Sequence, residues 1–341
     1  MTKYKETAME SQKQLLNEFL NEWNKGEGIT VRTSGSTGTP KEIVLPHSQL
    51  LRSAHRSINF FGITRRSRLH SAMSFKFIGG KMMIARSLVS GCTLTYSEPA
   101  VELVPIKGKQ PVDLICLVPA QFPHILDNIE SYRNIKSFLV GGSAIDDRLW
   151  DRIVSSGLNV WESYGMTETA THVAMRRVCN EAYRRPRFVP LPGVEISTGF
   201  DDAILIRDAE TFVSTTDIGK IYPDKSFEII GRKDDVIITG GLKVFPMELE
   251  SKLAPYISSF VQSFYVSWVP DMVWTSRLVL VMVPSVEQSE EDIKTAVMKS
   301  LSDVPEDVVP HKLLPKEIRI VSSLPRTESG KLNRRFKWNE K

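Results

Sequence analysis

The stretch RTSGSTGTPK, residues 32–41, decides how the rest of the chain is read. From Thr33 to Gly38 it offers small residues, hydroxyls and backbone N–H groups with almost no side-chain bulk. Glycine lets a chain turn sharply and approach a ligand closely, and successive free amides form an anion-binding concavity. Lys41 adds a mobile positive charge. Two readings stand at this point. One is a loop that holds phosphate through Thr33, Ser34, Gly35, Ser36, Thr37, Gly38 and Lys41. The other is an ordinary solvated Ser/Gly/Thr turn between strands. A Walker A loop is excluded: it needs G-x-x-x-x-G-K-S/T, and here Gly35 and Gly38 stand too close, with Pro40 ahead of the lysine.

Working outward, Leu15, Leu16, Phe19, Leu20 and Trp23 recur at helical spacing and predict a helix from Ser11 to Asn24. Ile29–Val31 predicts a strand entering the loop and Ile43–Leu45 one leaving it. His47, before a helix from Ser48 to Phe60, reads as a cap, a packing residue or a ligand contact. Strands at Leu69–Met73, Thr93–Tyr96 and in VDLICLV (112–118) then alternate with helices through Met82–Leu88 and Phe122–Leu126. SFLVGGSAI reads as strand, turn and helix start, and NVWESYGMTE as strand then loop. Such alternation predicts a parallel α/β sheet with ligands at the C-terminal ends of its strands.

Beyond Pro190 the texture changes to short strands, at Val194–Ser197, Ala203–Ile206, Lys220–Tyr222 and Phe227–Ile230, which predict a small β subdomain. After Gly231-Arg232-Lys233-Asp234-Asp235 comes a further mixed unit, with a helix from Pro246, strands at Phe260–Trp268 and Leu278–Val283, a helix at Glu290–Leu301 and a strand at Glu317–Val321. The charged Arg-Lys-Asp-Asp cluster is the expected linker.

The 341 residues allow two domains, and 41% hydrophobic with 25% charged residues match a globular protein. Lys plus Arg exceed Asp plus Glu by 44 to 40, too little to point to nucleic acid but compatible with an anionic small substrate. Cys92, Cys116 and Cys179 lie far apart with no CxxC pair, which argues against a disulfide framework or zinc site and for a reducing cytoplasm. No apolar leader or span-length run is visible, so a cytoplasmic chain without membrane insertion is expected.

Four further motifs follow in order: Tyr164-Gly165-Met166-Thr167-Glu168 after a predicted strand, Thr216-Asp217 before Gly219, Gly231-Arg232 leading to Asp234 and Gly240-Gly241, and PRTESGK at 325–331. Each alone is weak, since a Tyr-Gly is usually a turn and a charge run usually a solvated face. Together with the opening loop they resemble the adenylate-forming superfamily of acyl- and aryl-CoA synthetases, from Arg32 to Lys331. Within it, LICLVPAQFPHILDN (114–128), IKSFLVGGSAIDDRLW (135–150) and ESYGMTETATHVAMRR (162–177) are most similar to the o-succinylbenzoate–CoA ligase branch of menaquinone biosynthesis.

The resemblance implies two half-reactions: a carboxylate and ATP give acyl-AMP and pyrophosphate, then the CoA thiol displaces AMP. It implies that Thr33–Lys41 cradles the β- and γ-phosphates, that Thr167 donates to the α-phosphate and that Glu168 holds Mg²⁺, a hard cation that prefers oxygen. Tyr164 would offer its face to adenine, with Gly142, Ser143, Ser163 and Gly165 beside it. Asp217 would bind ribose, Arg232 ribose or phosphate, and Lys331 would stabilise charge developing during adenylation. Asp234 matches the family's hinge, and Gly240, Gly241 and Lys243 its pantetheine tunnel. The implied fold is α/β: a parallel-sheet N-terminal adenylating domain, residues 1 to 232, with a small β subdomain, then a small mobile α+β domain, residues 235 to 341.

Two departures stand out. Only about 30 residues precede the phosphate loop, fewer than in typical relatives, so part of the N-terminal layer is expected to be missing and self-association to cover exposed surface. Where many relatives have a histidine before the glycine pair, this chain has Lys76 and Phe77 before Gly79-Gly80. A dicarboxylic substrate needs a cation or several donors for its second carboxylate, and Lys76, then His172, are the residues expected to supply it. Transfer to a carrier-protein thiol and a non-catalytic nucleotide-binding role stay open as alternatives; retention of Glu168 and Lys331 speaks against the second.

Overall fold

In the first part of the chain, elements succeed one another as strand, helix, strand, because continuous apolar runs alternate with amphipathic ones. A computed structural model describes residues 2–33, 41–106, 110–181, 185–209, 211–285, 289–326, 332–334 and 336; among these, side chains are described from Gln12 onward, except that of Thr33. The chain divides into two compact units. The first comprises Met1–Ser197, Leu205–Val213 and Ile221–Phe227; the second comprises Thr198–Ile204, Ser214–Lys220 and Glu228–Lys341.

In the first unit, helix α1 (Thr2–Lys25) precedes an antiparallel pair, β1 (Gly28–Thr33) and β2 (Lys41–Pro46), whose last partners are Thr33 and Lys41. Helix α2 (His47–Phe61) follows, then β3 (Arg68–Ser71), α3 (Ile78–Ser90), β4 (Thr93–Tyr96), β5 (Leu114–Leu117), α4 (Phe122–Asp127), β6 (Phe138–Val140), α5 (Asp147–Ser156), β7 (Val160–Met166), β8 (Thr171–Arg177) and β9 (Val189–Pro190). The sheet runs β4-β3-β5-β6-β7-β8-β9. It is parallel from β4 to β7 and antiparallel at β7–β8 and β8–β9.

Every residue of β5 and β6 is buried, as strands covered on both faces require. One apolar core joins these strands to Phe122, Trp150 and Ile153; a second joins Phe19 of α1, Val31, Leu45, Leu50 of α2 and Met82 of α3. His47 packs its ring 4.3 Å from that of Trp23, the packing role among the three expected of it.

The predicted elements are present, with two differences. Strand β8, not foreseen, turns back antiparallel directly after the Thr-Glu motif, because it pairs with β7 through Ser163↔Met175 and Tyr164↔Ala174. The expected strand at Lys220–Tyr222 is the end of a longer one, β12 (Thr211–Ile221), whose first half alternates half-buried and exposed residues and so carries no apolar run. It lies in a sheet β10-β11-β12-β13 with β10 (Val194–Thr198), β11 (Ala203–Asp208) and β13 (Phe227–Arg232).

In the second unit a hairpin, β14 (Ile237–Thr239) and β15 (Leu242–Val244), leads to α6 (Pro246–Ile257), which opens on proline where the missing N–H costs nothing. Strands β16 (Val261–Asp271) and β17 (Thr275–Pro284) form a long antiparallel pair. Helix α7 (Glu290–Ser302), capped by the Ser289 side chain, and β18 (Glu317–Ile320), parallel to β17, complete the unit. Leu253, Leu280, Met282 and Val297 centre its core.

Candidate active site

Because β5, β6 and β7 run parallel, the segments that leave their C-terminal ends stand side by side. After β6 come Gly141, Gly142 and Ser143; the end of β7 carries Ser163, Tyr164, Gly165 and Met166, followed by a short turn, Thr167–Thr169. Gly142 sits at φ +91, a conformation that side chains avoid, and is exposed. The Ser163 hydroxyl donates to the Val140 carbonyl at 3.1 Å, tying β7 to β6. Tyr164 is buried between Phe188 and Phe227, with ring centroids at 6.0 and 5.4 Å.

Glu162 fixes this end of the sheet. It is 1% exposed, accepts from the Ile145 N–H at 2.9 Å and pairs with Arg176 at 2.6 Å. Arg176 in turn lies over the rings of Trp150 and Phe188. A carboxylate with a charge-assisted partner and a backbone donor is strongly held, so the loop after β6 has little freedom to shift against β7 and β8.

The turn bearing Thr167 and Glu168 is held by its own residues and by α2. The Thr169 hydroxyl accepts from the Met166 N–H at 3.1 Å and donates to the Thr171 carbonyl at 2.6 Å. From α2, Gln49 donates to the Glu168 carbonyl at 2.8 Å and Ser53 to the Ala170 carbonyl at 3.0 Å. Ala170 and Thr171 both have positive φ, +54 and +113. Consecutive left-handed residues, one of them β-branched, are costly and persist only where the surroundings over-determine them, which is common at functional sites. Gly165 is obligatory here: a Cβ would lie 2.0 Å from the Thr171 carbonyl oxygen. Thr167 is half-buried and Glu168 exposed, so the Glu168 carboxylate reaches solvent.

His172 lies beneath this turn and is 4% exposed, with Nε2 2.9 Å from the Ser57 hydroxyl. Burial first, then the charges of Arg86 and Arg56, hold its pKa well below the ordinary histidine value, so the ring is neutral. The guanidinium within reach of the His172 ring is that of Arg86. It is 1% exposed, and among the described residues its guanidinium meets neutral atoms: Met83 Sδ at 3.4 Å, Cys116 Sγ at 3.9 Å, Thr171 Oγ1 at 3.4 Å and His172 Nδ1 at 3.5 Å. Burial pushes the Cys116 thiol up, so it stays uncharged. Lys76, by contrast, is exposed, with its ammonium 5.8 Å from the Phe77 ring centroid.

Lys41 is exposed at the first position of β2, opposite Thr33. Ser34, Gly35, Ser36, Thr37 and Gly38 lie outside the described residues, as does Lys331.

In the second unit, Arg232 donates to the Thr216 hydroxyl at 2.7 Å and lies 3.5 Å from Asp217 and 3.8 Å from Asp234. Asp217 is 8% exposed, and its N–H donates to Thr215 Oγ1 at 3.0 Å. Gly240 and Gly241, at φ +55 and +77, form the two-residue turn between Thr239 and Leu242. Such a turn demands positive φ at both positions, so the hairpin itself requires the glycines. Gly240 also backs onto the Trp274 ring, 2.6 Å from where a Cβ would stand, while Gly241 faces open space. Lys243 is exposed on β15. Arg326 and Leu332 are bridge partners on either side of 327–331, and Arg334 holds Glu250 through two short bonds, 2.5 and 2.6 Å.

Reading the sequence missed Glu162, Gln49 and Arg86. Only Arg86 left a signal: it follows Met82 and Met83 at helical spacing, a charge on the apolar side of α3.

A family model described as AMP-binding enzyme matches residues 31–211, and one described as AMP-binding enzyme C-terminal domain matches residues 248–331. The chain belongs to the AMP-binding enzyme family. The first match takes in the stretch around Gly35, the parallel sheet and the strained turn; the second runs from within α6 to Lys331.

Among AMP-binding enzymes, the chain is 25% identical to the 2-succinylbenzoate–CoA ligase of Listeria monocytogenes, over 93% of this chain and 71% of that protein. It resembles the crystal structure of an acyl-CoA synthetase (AMP-forming)/AMP-acid ligase II-like protein from Dyadobacter fermentans with 26% identity and a TM-score of 0.60, covering 94% of this chain and 92% of that one. The o-succinylbenzoate CoA synthetase of Bacillus subtilis, solved with the acyl-adenylate OSB-AMP, shares the fold at 22% identity and a TM-score of 0.68, over 90% and 68% of the two chains. Among the described residues, no helix is long and apolar enough to cross a membrane.

Proposed function

We propose that this AMP-binding enzyme is an acid–thiol ligase that activates 2-succinylbenzoate with ATP and passes the acyl group to CoA in the cytoplasm. Likeness to the Listeria ligase supports the reaction, and free cysteines support the compartment. The observation that carries the substrate class is Arg86. A fully buried guanidinium that meets only neutral atoms among the described residues is an uncompensated charge, and it reaches Thr171 and His172, at the start of the strand that follows Thr167 and Glu168. An acid with a second carboxylate supplies the missing counter-charge, whereas a monocarboxylic acid does not.

In this reading the exposed backbone of Gly142 and Gly165 approaches the nucleotide closely, the Tyr164 ring, held against two phenylalanines, stands beside adenine, and the Thr167 hydroxyl donates to phosphate. Among the described residues no group of three or more His, Cys, Asp or Glu is placed to hold a metal. That fits magnesium carried by the nucleotide, which keeps waters and phosphate oxygens and takes a single protein carboxylate, Glu168. When bound, magnesium neutralises charge on the phosphates. The 32–41 loop, Asp217, Arg232 and Lys331 keep the roles that the family resemblance implies, with Asp234 as hinge and Gly240, Gly241 and Lys243 beside the thiol's path.

ATP–pyrophosphate exchange across a panel of carboxylic acids, followed by thioester detection with CoA, tests the proposal. Exchange should be highest with 2-succinylbenzoate and a CoA thioester should form. Equal exchange with 3-benzoylpropionate, which lacks the ring carboxylate, removes the substrate assignment; exchange without a CoA thioester removes the acceptor.

A further inference from the structure

We propose that the first unit contains a second ligand site, a pocket walled by α2 that binds a small organic anion: a carboxylate or phosphate head on an apolar body. The pocket, open to solvent on one side, has a volume of about 480 Å³, the size of a small-molecule site rather than of a lone ion. Arg52, His55, Arg56 and Phe60 line it along one stripe of α2, with Pro192 and Asp208 opposite. The adjoining stripe of the same helix, Gln49, Ser53 and Ser57, holds the Glu168–His172 segment, and no residue of that segment lines the pocket.

Its charge is unbalanced among the described residues. Arg56 Nη1 lies 2.8 Å from Asp208 Oδ1, and Arg52 Nε lies 3.9 Å from the same oxygen, so among the described residues one carboxylate answers two guanidiniums. Arg56 is 8% exposed, yet among the described residues its Nε and Nη2, both buried atoms, have no hydrogen-bond partner; neither has Arg52 Nε. A buried donor without an acceptor bears its desolvation cost uncompensated. Paired guanidinium forks match the planar geometry of carboxylate and the oxygens of phosphate. An anion against this wall would balance the second charge. Phe60, 38% exposed, and Pro192 supply the apolar wall for a ring or short chain.

Phenyl phosphate and benzoate, titrated calorimetrically into the full chain with saturating AMP, test this site independently of any ligase activity. At least one should bind and raise the melting temperature, while benzyl alcohol, neutral and of similar shape, should not. Preference for phenyl phosphate identifies a phosphate head, preference for benzoate a carboxylate. Arg52→Gln should weaken binding about tenfold, roughly the loss of one charge-assisted bond. Asn59→Trp, on an exposed lining residue, should abolish binding by filling the space without disturbing the Arg56–Asp208 pair. Since Arg56→Gln alone removes the nearer partner of the buried Asp208, that change is made together with Asp208→Asn, and the folded double variant should not bind. No binding, undiminished binding in Arg52→Gln and Asn59→Trp, or equal affinity for inorganic phosphate and phenyl phosphate would each overturn the proposal.

Discussion

Arg86 places a guanidinium nitrogen 3.5 Å from Nδ1 of His172, with both side chains buried. Arginine can only donate, so Nδ1 accepts and the histidine proton resides on Nε2. That proton faces the Ser57 hydroxyl at 2.9 Å, and Ser57 donates onward to the Ser53 carbonyl at 3.1 Å. The chain of donors runs one way, from the charge on α3 through β8 to α2. It leaves His172 neutral and Arg86 the cation beside the turn after Thr167-Glu168.

Arg86→Met should raise KM for 2-succinylbenzoate by at least about tenfold relative to 3-benzoylpropionate, because only the dicarboxylate loses a charged partner. Lys76→Met, at an exposed position, should change the two acids alike. Steady-state adenylation with both acids decides between them: a selective loss in Lys76→Met with none in Arg86→Met would return the role to Lys76.

Lys331→Ala should depress adenylate formation while sparing thioester formation from supplied acyl-AMP, if its charge serves only the first half-reaction. Gly241→Leu should do the reverse by placing bulk where the structure shows open space. Its φ of +77 strains leucine, so Gly241→Asn, which tolerates that conformation, is the control for folding. Equal losses in both half-reactions for Lys331→Ala and Gly241→Leu would exclude a division of labour around a hinge at Asp234.

Stability should fall as pH drops below the ordinary histidine range. His70 is buried, with Nδ1 2.9 Å from Thr95 Oγ1, and burial first, then Arg68, lowers its pKa to about 4. His172 is lowered too. Between pH 6.5 and about 4 the unfolded chain binds the His70 proton and the folded one does not, so the stabilisation present above 6.5 is progressively lost. Each histidine should steepen the loss by about 1.4 kcal/mol per pH unit. Denaturant midpoints of wild type and His70→Asn, compared from pH 7 to 4.5, should diverge by that slope; parallel curves would show that His70 titrates normally.

Glu162→Gln keeps the shape of the buried carboxylate but removes the charge facing Arg176. Breaking a buried pair on one side costs about 3–5 kcal/mol. Thermal melting should register that loss, and KM for ATP should rise as the Gly142–Ser143 loop loosens. An unchanged melting temperature would mean that Arg176 is held by its ring contacts and the Pro186 carbonyl.

Much of the fold was legible in the sequence. Runs such as Leu114–Leu117 and Phe138–Val140 are apolar throughout because both faces of a central parallel strand are covered, and that composition is visible without coordinates. The ordered motifs, from the Gly35 loop through Tyr164–Glu168 to Lys331, likewise indicated the AMP-binding family, because they are local strings whose residue types serve one chemistry. Strand β8 escaped because its pairing with β7 is set by a partner, not by its own composition. Arg86, Gln49 and Glu162 escaped for the same reason. Each acts through a neighbour many residues away, Arg86 on Thr171 and His172, Gln49 on the Glu168 carbonyl, Glu162 on Arg176 and Ile145. Residue type and spacing determine which elements form and which chemistry a loop can offer. Which buried charge is left without a counter-ion is decided only when packing removes water from it, and that is a property of the tertiary structure.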